Sequence, residues 1–267
     1  MVKVMEYNNK DDRMLLSRTE ELAAACRVQY RITHSEFLDL RQQSLVQRQI
    51  MYSAAPCYGL YGGYDDAERK IAVFLPEYIE EQDPAAFFHS EPEEDPLVVL
   101  RLMKKKGTPA LSHRDYLGAL MGLGIRREIT GDILVREDGA DVIVLRSMAE
   151  YIETSLSHAG RSSLTVTEMP VRELIVPESD VREKNASVAS LRLDNVIGAA
   201  FGLSRTKSLE AVRSGIVFVN GLEMIKPDFT VGEGDKIVLR HKGRVVIRSV
   251  GGKTGKGRTH ITLQVYR

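Results

Sequence analysis

The chain has 267 residues, 43% of them apolar and 28% charged, with Lys plus Arg and Asp plus Glu balanced at 37 each. That apolar share is enough for two or three cores of ordinary size, and no apolar run approaches the roughly 20 residues that span a bilayer. The opening MVKVMEYNNKDDR has no apolar segment behind its basic residues, so no secretory signal is expected and the cytoplasm is the expected location. Cys26 and Cys57 stand far apart without Cys or His at ligand spacing, which points to buried thiols and away from a disulfide framework or a zinc motif.

The zero net charge hides a division. Residues 1–180 carry 21 Lys and Arg against 30 Asp and Glu, whereas residues 181–267 carry 16 against 7. From Lys236 onward there are nine basic residues and no acid. An excess confined to one end points to a polyanion, and at this level RNA, DNA and anionic lipid are all open.

Three blocks follow in chain order, with domains expected at 1–80, 92–176 and 185–267. In the first, RMLLSRTEELAAACRVQY carries Leu15, Leu22, Ala25 and Cys26 at helical spacing, and THSEFLDLRQQSLVQRQIM repeats the pattern with Phe37, Leu40, Leu45 and Ile50. Thr33 with Glu36 is a capping-box pattern that predicts the start of the second helix. CYGLYGGYDDAERKIAVFLPEY then predicts two strands around an acidic, glycine-bearing turn. The stretch EYIEEQDPAAFFHSEPEEDP, rich in Pro and acids, is expected to be a linker.

In the second block LVVLRLM predicts a strand, Ser112 with Asp115 an N-cap, GDILV and ADVIVL a pair of strands, SMAEYIETSLSHAG a helix and SLTVTEM a last strand. Strand, helix, strand, strand, helix, strand is the order of a ferredoxin-like sandwich. Small RNA readers use this order with aromatics on the central strands, and these strands have none, so a scaffold or weak contact surface is expected. KKKG at 104–107 and GIRREITGD at 124–132 are expected to be solvated loops that could touch phosphate.

After a second linker, IVPESDVREKNAS, the third block places Leu193, Val196, Ile197 and Ala200 on one helix face ending near Gly202. Ser204 is expected to cap a further helix, Gly215 to end it, IVFVNG to form a strand turning at Asn220-Gly221, and DKIVLR a later strand. Arg205 and Lys207 fall in the first turn of the second helix, where the dipole disfavours cations unless an anion binds there, and phosphate meets that need.

RLDN, LSRTKSLEAVRSGIVFVNG and VGEGDKIVL, in this order over roughly residues 187–240, resemble the RNA-binding module of small-subunit ribosomal protein S-four, the αL motif. Similar modules occur in tyrosyl-tRNA synthetases and pseudouridine synthases. LSHRDYLGALMGLGIRREITGDILV together with RHKGRVVIRSVGGKTGKGR resembles the YlmH family over most of the chain. The resemblance implies an α+β fold with N-terminal helices on a small sheet, a ferredoxin-like middle domain and an S-four-like RNA-binding domain with a β-rich basic tail. It further implies ribosome-associated quality control on large ribosomal subunits that hold peptidyl-tRNA, with rRNA and tRNA as partners. The RNA-facing residues it implies are Arg192, Ser204, Arg205, Thr206, Lys207 and Arg213, with Asn220 and Gly221 shaping the turn and Lys242, Arg244, Lys253, Lys256 and Arg258 in the tail. Asp194 is expected to orient a neighbouring cation or cap its helix.

Catalysis finds little support in the residues. GGKTGKG lacks the glycine spacing of a phosphate-binding loop and has Gly257 where Ser or Thr should follow Lys256. No glycine fingerprint heads a strand-helix-strand unit, and the six histidines form no metal spacing or nucleophile pair. A non-enzyme without metal, cofactor, small-molecule substrate or membrane partner is expected. The alternatives are a cell-division interaction protein, in which the first two blocks would carry the activity, and a pseudouridine synthase-like enzyme, which would need a catalytic Asp motif in a larger domain.

Overall fold

A computed structural model describes residues 10–50, 58–105, 107–176, 181–253, 255 and 257–266, and the chain divides into two compact units, Met1–Pro177 and Glu178–Arg267. Helices and antiparallel sheets share both units, so the fold is α+β. Among the described residues no helix is long and apolar enough to cross a membrane.

In the first unit α1 (Lys10–Gln29) leads through β1 (Thr33–His34) to α2 (Leu40–Ile50), followed by β2 (Tyr58–Tyr61) and β3 (Ile71–Phe74). The three strands form an antiparallel sheet in the order β1-β3-β2. Thr33 does not start α2. It lies in β1, where its hydroxyl donates to Leu22 O at 2.8 Å. The reciprocal bonds of a capping box fall six residues later: Gln42 N donates to Asp39 Oδ1 at 2.8 Å and Asp39 N to Gln42 Oε1 at 2.9 Å.

All four residues of β3 are buried because both faces of the strand meet a core. Ala72 and Phe74 join Leu16, Cys26, Leu45 and Val46 of the two helices, while Ile71 and Val73 face the opposite way, toward Phe37, Phe87 and Phe88. Cys26 is a buried thiol whose pKa burial pushes up, and Cys57 lies outside the described residues.

The expected first linker contains a helix, α3 (Pro84–Ser90), capped by Asp83, whose carboxylate accepts from Ala85 N and Ala86 N. Asp at the cap with Pro at the first helical position is a start signal, here embedded in a stretch of acids and prolines. Phe87 and Phe88 anchor α3 in the core.

A five-stranded antiparallel sheet follows. It is built by β4 (Leu97–Lys104), α4 (His113–Gly122), β5 (Thr130–Val135), β6 (Gly139–Leu145), α5 (Ala149–Ser155), β7 (His158–Ala159) and β8 (Ser162–Met169), in the order β5-β6-β4-β8-β7. The expected N-cap of α4 is present, with the Asp115 carboxylate accepting from both the backbone N–H and the hydroxyl of Ser112 at 2.7 Å. Those two bonds hold the Asp115 carboxyl below its ordinary pKa.

Leu100, Leu102, Val142 and Val144 face Tyr116 and Leu120 of α4 and Ile152 of α5. Val99, Ile143 and Leu145 face the other way, into the cluster of Phe37, Tyr61, Phe87 and Phe88. The runs LVVL and VIVL are therefore buried on both faces, and the sheet face on which a ferredoxin-like RNA reader displays aromatics is covered by the first block.

The second unit runs β9 (Val181–Val188), α6 (Leu193–Phe201), α7 (Arg205–Arg213), β10 (Val217–Val219), β11 (Leu222–Glu223), β12 (Lys236–Leu239), β13 (Gly243–Lys253) and β14 (Thr259–Tyr266). Its six strands are ordered β11-β10-β12-β13-β14-β9. The two helices cover one face, joining Val196, Ile197, Ala200, Ala211 and Val212 to Val217, Val219, Ile237, Leu239, Val245, Ile247, Ile261 and Leu263.

Most of the second expected linker is a strand: β9 pairs with β14 at eight positions, from Thr259↔Val188 to Tyr266↔Val181. As an edge strand with polar residues on its solvent side, VREKNASV carries only a faint alternation. Ala186 and Val188 pack on the core, and inward-pointing Lys184 finds a backbone partner in Ala200 O of α6 at 3.0 Å.

Candidate nucleic-acid interface

The start of α7 is set by the end of α6. Gly202 takes φ +66°, closing α6 in a left-handed turn, and Ser204 follows in extended conformation as the N-cap of α7, its hydroxyl accepting from Lys207 N at a long 3.4 Å. The helices touch through small residues. Ser208 is fully buried and bonds back to Ser204 O at 3.0 Å, and a Cβ on Gly198 would lie 3.0 Å from Ser208 Oγ.

This packing leaves Arg205, Thr206 and Lys207 exposed together on the first turn, which contains no acid. Backbone N–H groups of a helix start, the positive dipole end and two cations therefore share one turn, an arrangement suited to an anion.

Arg213 is at the far end of α7, where a cation complements the dipole; at 1.5 Å per residue it lies about 12 Å from Arg205 along the axis. Arg192 caps α6 and is held by a neighbour: its Nε and Nη2 donate to the two carboxylate oxygens of Asp194 at 3.0 and 3.1 Å. Asp194 is buried and raises the Arg192 pKa, so it orients Arg192 while offsetting part of its charge.

Asn220 and Gly221 take φ +50° and +77° in the turn between β10 and β11. The Asn220 amide donates to Asp235 Oδ1 at 2.7 Å and accepts from Lys236 N at 2.9 Å, while Asp235 Oδ2 accepts from Gly232 N at 2.7 Å. This side chain ties two turns together.

Among the described residues the tail cations do not form one cluster. Lys242 sits in the turn before β13, and Lys253 ends that strand, which is eleven residues long and spans about 30 Å. Arg258, beyond the β13–β14 turn, donates to Ser187 O of β9 at 2.6 Å, and the guanidinium of Arg244 lies 4.0 Å from the centroid of the Tyr266 ring. Lys256 lies outside the described residues.

Two exposed arginines of this unit, Arg240 and Arg248, are absent from the residues expected by resemblance. The strand register that places them was only partly legible in RHKGRVVIR.

The loops of the middle block are more structural than expected. Arg127 is partly buried, donates to Gly131 O at 3.0 Å and also bonds Thr130, and Arg126 pairs with Glu36. Within the same unit, a cleft of about 310 Å³ is lined by Tyr61, Tyr64, His89, Asp95 and Arg172 among others. Asp95 is buried there, and burial pushes its carboxyl up to about 6 against the opposing pull of Leu97 N–H, the Tyr61 hydroxyl and Arg146. Among the described residues no group of three or more His, Cys, Asp or Glu is arranged to hold a metal.

An α+β chain whose C-terminal unit presents a cationic helix start and a basic sheet defines a protein built to face polyanions. A family model described as "Putative RNA-binding domain in YlmH" matches residues 97–173. The chain is 32% identical over 266 residues to ribosome-associated protein quality control protein P2 of Bacillus subtilis, covering 99% of both chains. A tyrosine–tRNA ligase of Desulfitobacterium hafniense is 33% identical over 103 residues, 39% of this chain and 23% of the ligase. A solved structure described as cell division protein ylmH from Streptococcus pneumoniae overlays 64% of this chain and 99% of its own, at TM-score 0.48 and 21% identity. The near full-length match to the Bacillus protein decides the matter: the chain belongs to the YlmH family.

Proposed function

We propose that this chain is a non-catalytic RNA-binding protein of ribosome-associated quality control. It docks on the large ribosomal subunit that still holds peptidyl-tRNA, and the C-terminal unit is its RNA anchor. The observation that carries the reading is the first turn of α7, where Ser204, Arg205, Thr206 and Lys207 are exposed together at a helix N-terminus free of acids. The full-length relationship to a ribosome-associated quality control protein supports it.

The α6-α7 pair on an antiparallel sheet favours an S-four-like arrangement for this unit, and the β5-β6-β4-β8 strand order favours a ferredoxin-like arrangement for residues 97–169. In that middle sheet both faces of the central strands are buried, so its RNA contacts come from edges and loops.

The test is co-sedimentation with large subunits, empty and loaded with peptidyl-tRNA, comparing the intact chain with the Arg205→Ala/Lys207→Ala variant over a range of salt. The intact chain should travel with the loaded subunit, and the variant should bind more weakly, with a log–log salt slope flatter by about 0.7 to 0.9 for each phosphate it no longer neutralises. Equal binding by the two proteins, with the same slope, would remove α7 as the anchor.

A further inference from the structure

The sheet of the second unit has a second face, turned away from α6 and α7, and strand pairing lines up a row of side chains across it. Phe218 of β10 pairs with Val238 of β12, Val238 with Arg244 of β13, and Arg244 with Tyr266 of β14. On each strand the neighbours of these residues, Val217 and Val219, Ile237 and Leu239, Val245, and Val265, point into the helix-covered core. By alternation the row itself lies on the opposite face.

Both aromatics in the row carry an arginine. The guanidinium of Arg240 lies 4.7 Å from the centroid of Phe218 and that of Arg244 lies 4.0 Å from Tyr266. Phe218 and Tyr266 are only partly buried, and Arg240 is exposed. At about 4.8 Å per strand the two pairs stand about 14 Å apart, separate places on one platform. Exposed Arg248 extends the positive face along β13, and no acid occurs from Lys236 to the end of the chain. The acids in these rows are Glu223, paired with Phe218 at the β11 edge, and Glu183, paired with Gln264 on β9 at the other.

Planar groups with positive charge beside them match one ligand chemistry: unpaired bases joined by phosphates. Every base has a π-face that stacks on an aromatic ring or a guanidinium plane, and arginine adds attraction to the backbone. A double helix cannot use such a surface, because its base faces are already stacked inside. We propose that this outer sheet face is a second RNA-binding surface, distinct from the start of α7, which takes a single-stranded segment by stacking unpaired bases at Phe218–Arg240 and Tyr266–Arg244. The inference rests on the RNA-binding reading above and adds the class of RNA structure that the opposite face recognises. The strand register gathers two aromatics that sit 48 residues apart in sequence.

The experiment uses the full chain and two probes, an oligouridylate carrying one 2-aminopurine and a hairpin RNA whose fully paired stem is closed by a non-nucleotide linker, so that it offers no unpaired base. The wild type should bind the single strand and quench 2-aminopurine as the base stacks. Phe218→Leu/Tyr266→Leu, which keeps apolar cover, should weaken single-strand binding about tenfold and abolish the quench, with hairpin affinity unchanged. Arg244→Lys, which keeps the charge and removes the plane, should reduce the quench as well.

Arg205→Ala/Lys207→Ala should do the reverse, weakening the hairpin and sparing the quench. If the leucine variant retains both single-strand affinity and quench, or the wild type gives no quench, the stacking surface is refuted whatever the hairpin does. If only the α7 variant fails to weaken the hairpin, the docking reading falls and the stacking surface stands.

Discussion

Replacing Asn220 tests whether this residue shapes the proposed interface or would itself touch RNA. In Asn220→Ala the left-handed φ of +50° remains, at a cost of about 1 kcal/mol for a side chain that can no longer bond locally. The two amide hydrogen bonds, to Asp235 and from Lys236 N, contribute about 1 kcal/mol each. The second unit should therefore lose about 3 kcal/mol. In Asn220→Gly the backbone term is relieved, and the loss should fall by about 1 kcal/mol.

Because the chain has two units, a single melting curve does not isolate the effect, and native-state hydrogen exchange at the β10 and β12 amides is the appropriate assay. Protection there should fall by about a hundredfold or more in the alanine variant, while amides of β4 and β6 in the first unit keep theirs. RNA affinity per folded molecule, measured in the cold, should be unchanged. An alanine variant that keeps β10 protection within about fivefold but loses RNA binding would refute the reasoning and make Asn220 a contact residue.

Two further outcomes concern the first unit. A Cβ on Gly139 would lie 1.9 Å from Leu102 O, a backbone atom of the neighbouring strand, so Gly139→Ala should force β4 and β6 apart and cost about 3 kcal/mol or more. Gly118→Ala, in α4 where the added atom meets nothing within 4 Å, should stabilise by up to about 1 kcal/mol, and calorimetry of the two variants checks the contrast. Asp95, pushed up to about 6, binds its proton more tightly folded than unfolded. Its contribution to stability is complete below about pH 4 and lost as pH rises through 6, a span on the order of 2 to 3 kcal/mol. Asp95→Asn should remove that pH-dependent component, seen as a flatter difference in denaturation midpoints between pH 4 and 7.

The C-terminal helices were legible because local chemistry marks their ends: Gly202 and Ser204 do in the structure what their residue types favour anywhere. Strand β9 and helix α3 were not, for opposite reasons. VREKNASV is held in place by pairing with β14 some 75 residues away, an association with little local trace. EYIEEQDPAAFFHSEPEEDP has a cap and two phenylalanines, but its acids and prolines describe a linker equally well. Thr33 shows a local rule overridden. The Thr33–Glu36 pattern is sound, yet pairing with β3 takes Thr33 into a strand, and Asp39–Gln42 carries out the capping. Of the interface, the cluster at Arg205 and Lys207 was readable from spacing because both residues lie in one helical turn. The outer sheet face was not, because its members are adjacent only through register.

The same distinction bears on what the positive tail does. In sequence the nine cations from Lys236 onward form one surplus; in the fold β13 alone is about 30 Å long, several screening lengths at physiological salt. Lys242 and Lys253 at its two ends therefore cannot act on one phosphate, and among the described residues no pair of tail cations shares a helical first turn as Arg205 and Lys207 do. Distributed charge of this kind raises encounter rates and keeps an RNA near the surface, while orientation has to come from groups with fixed direction. The described residues offer two such sets, the helix start of α7 and the arginine-capped rings of the sheet face turned away from the helices, within one unit. On the proposed reading, an RNA gripped by both presents a phosphate to one side and an unpaired segment to the other, which favours selection by RNA structure over selection by sequence.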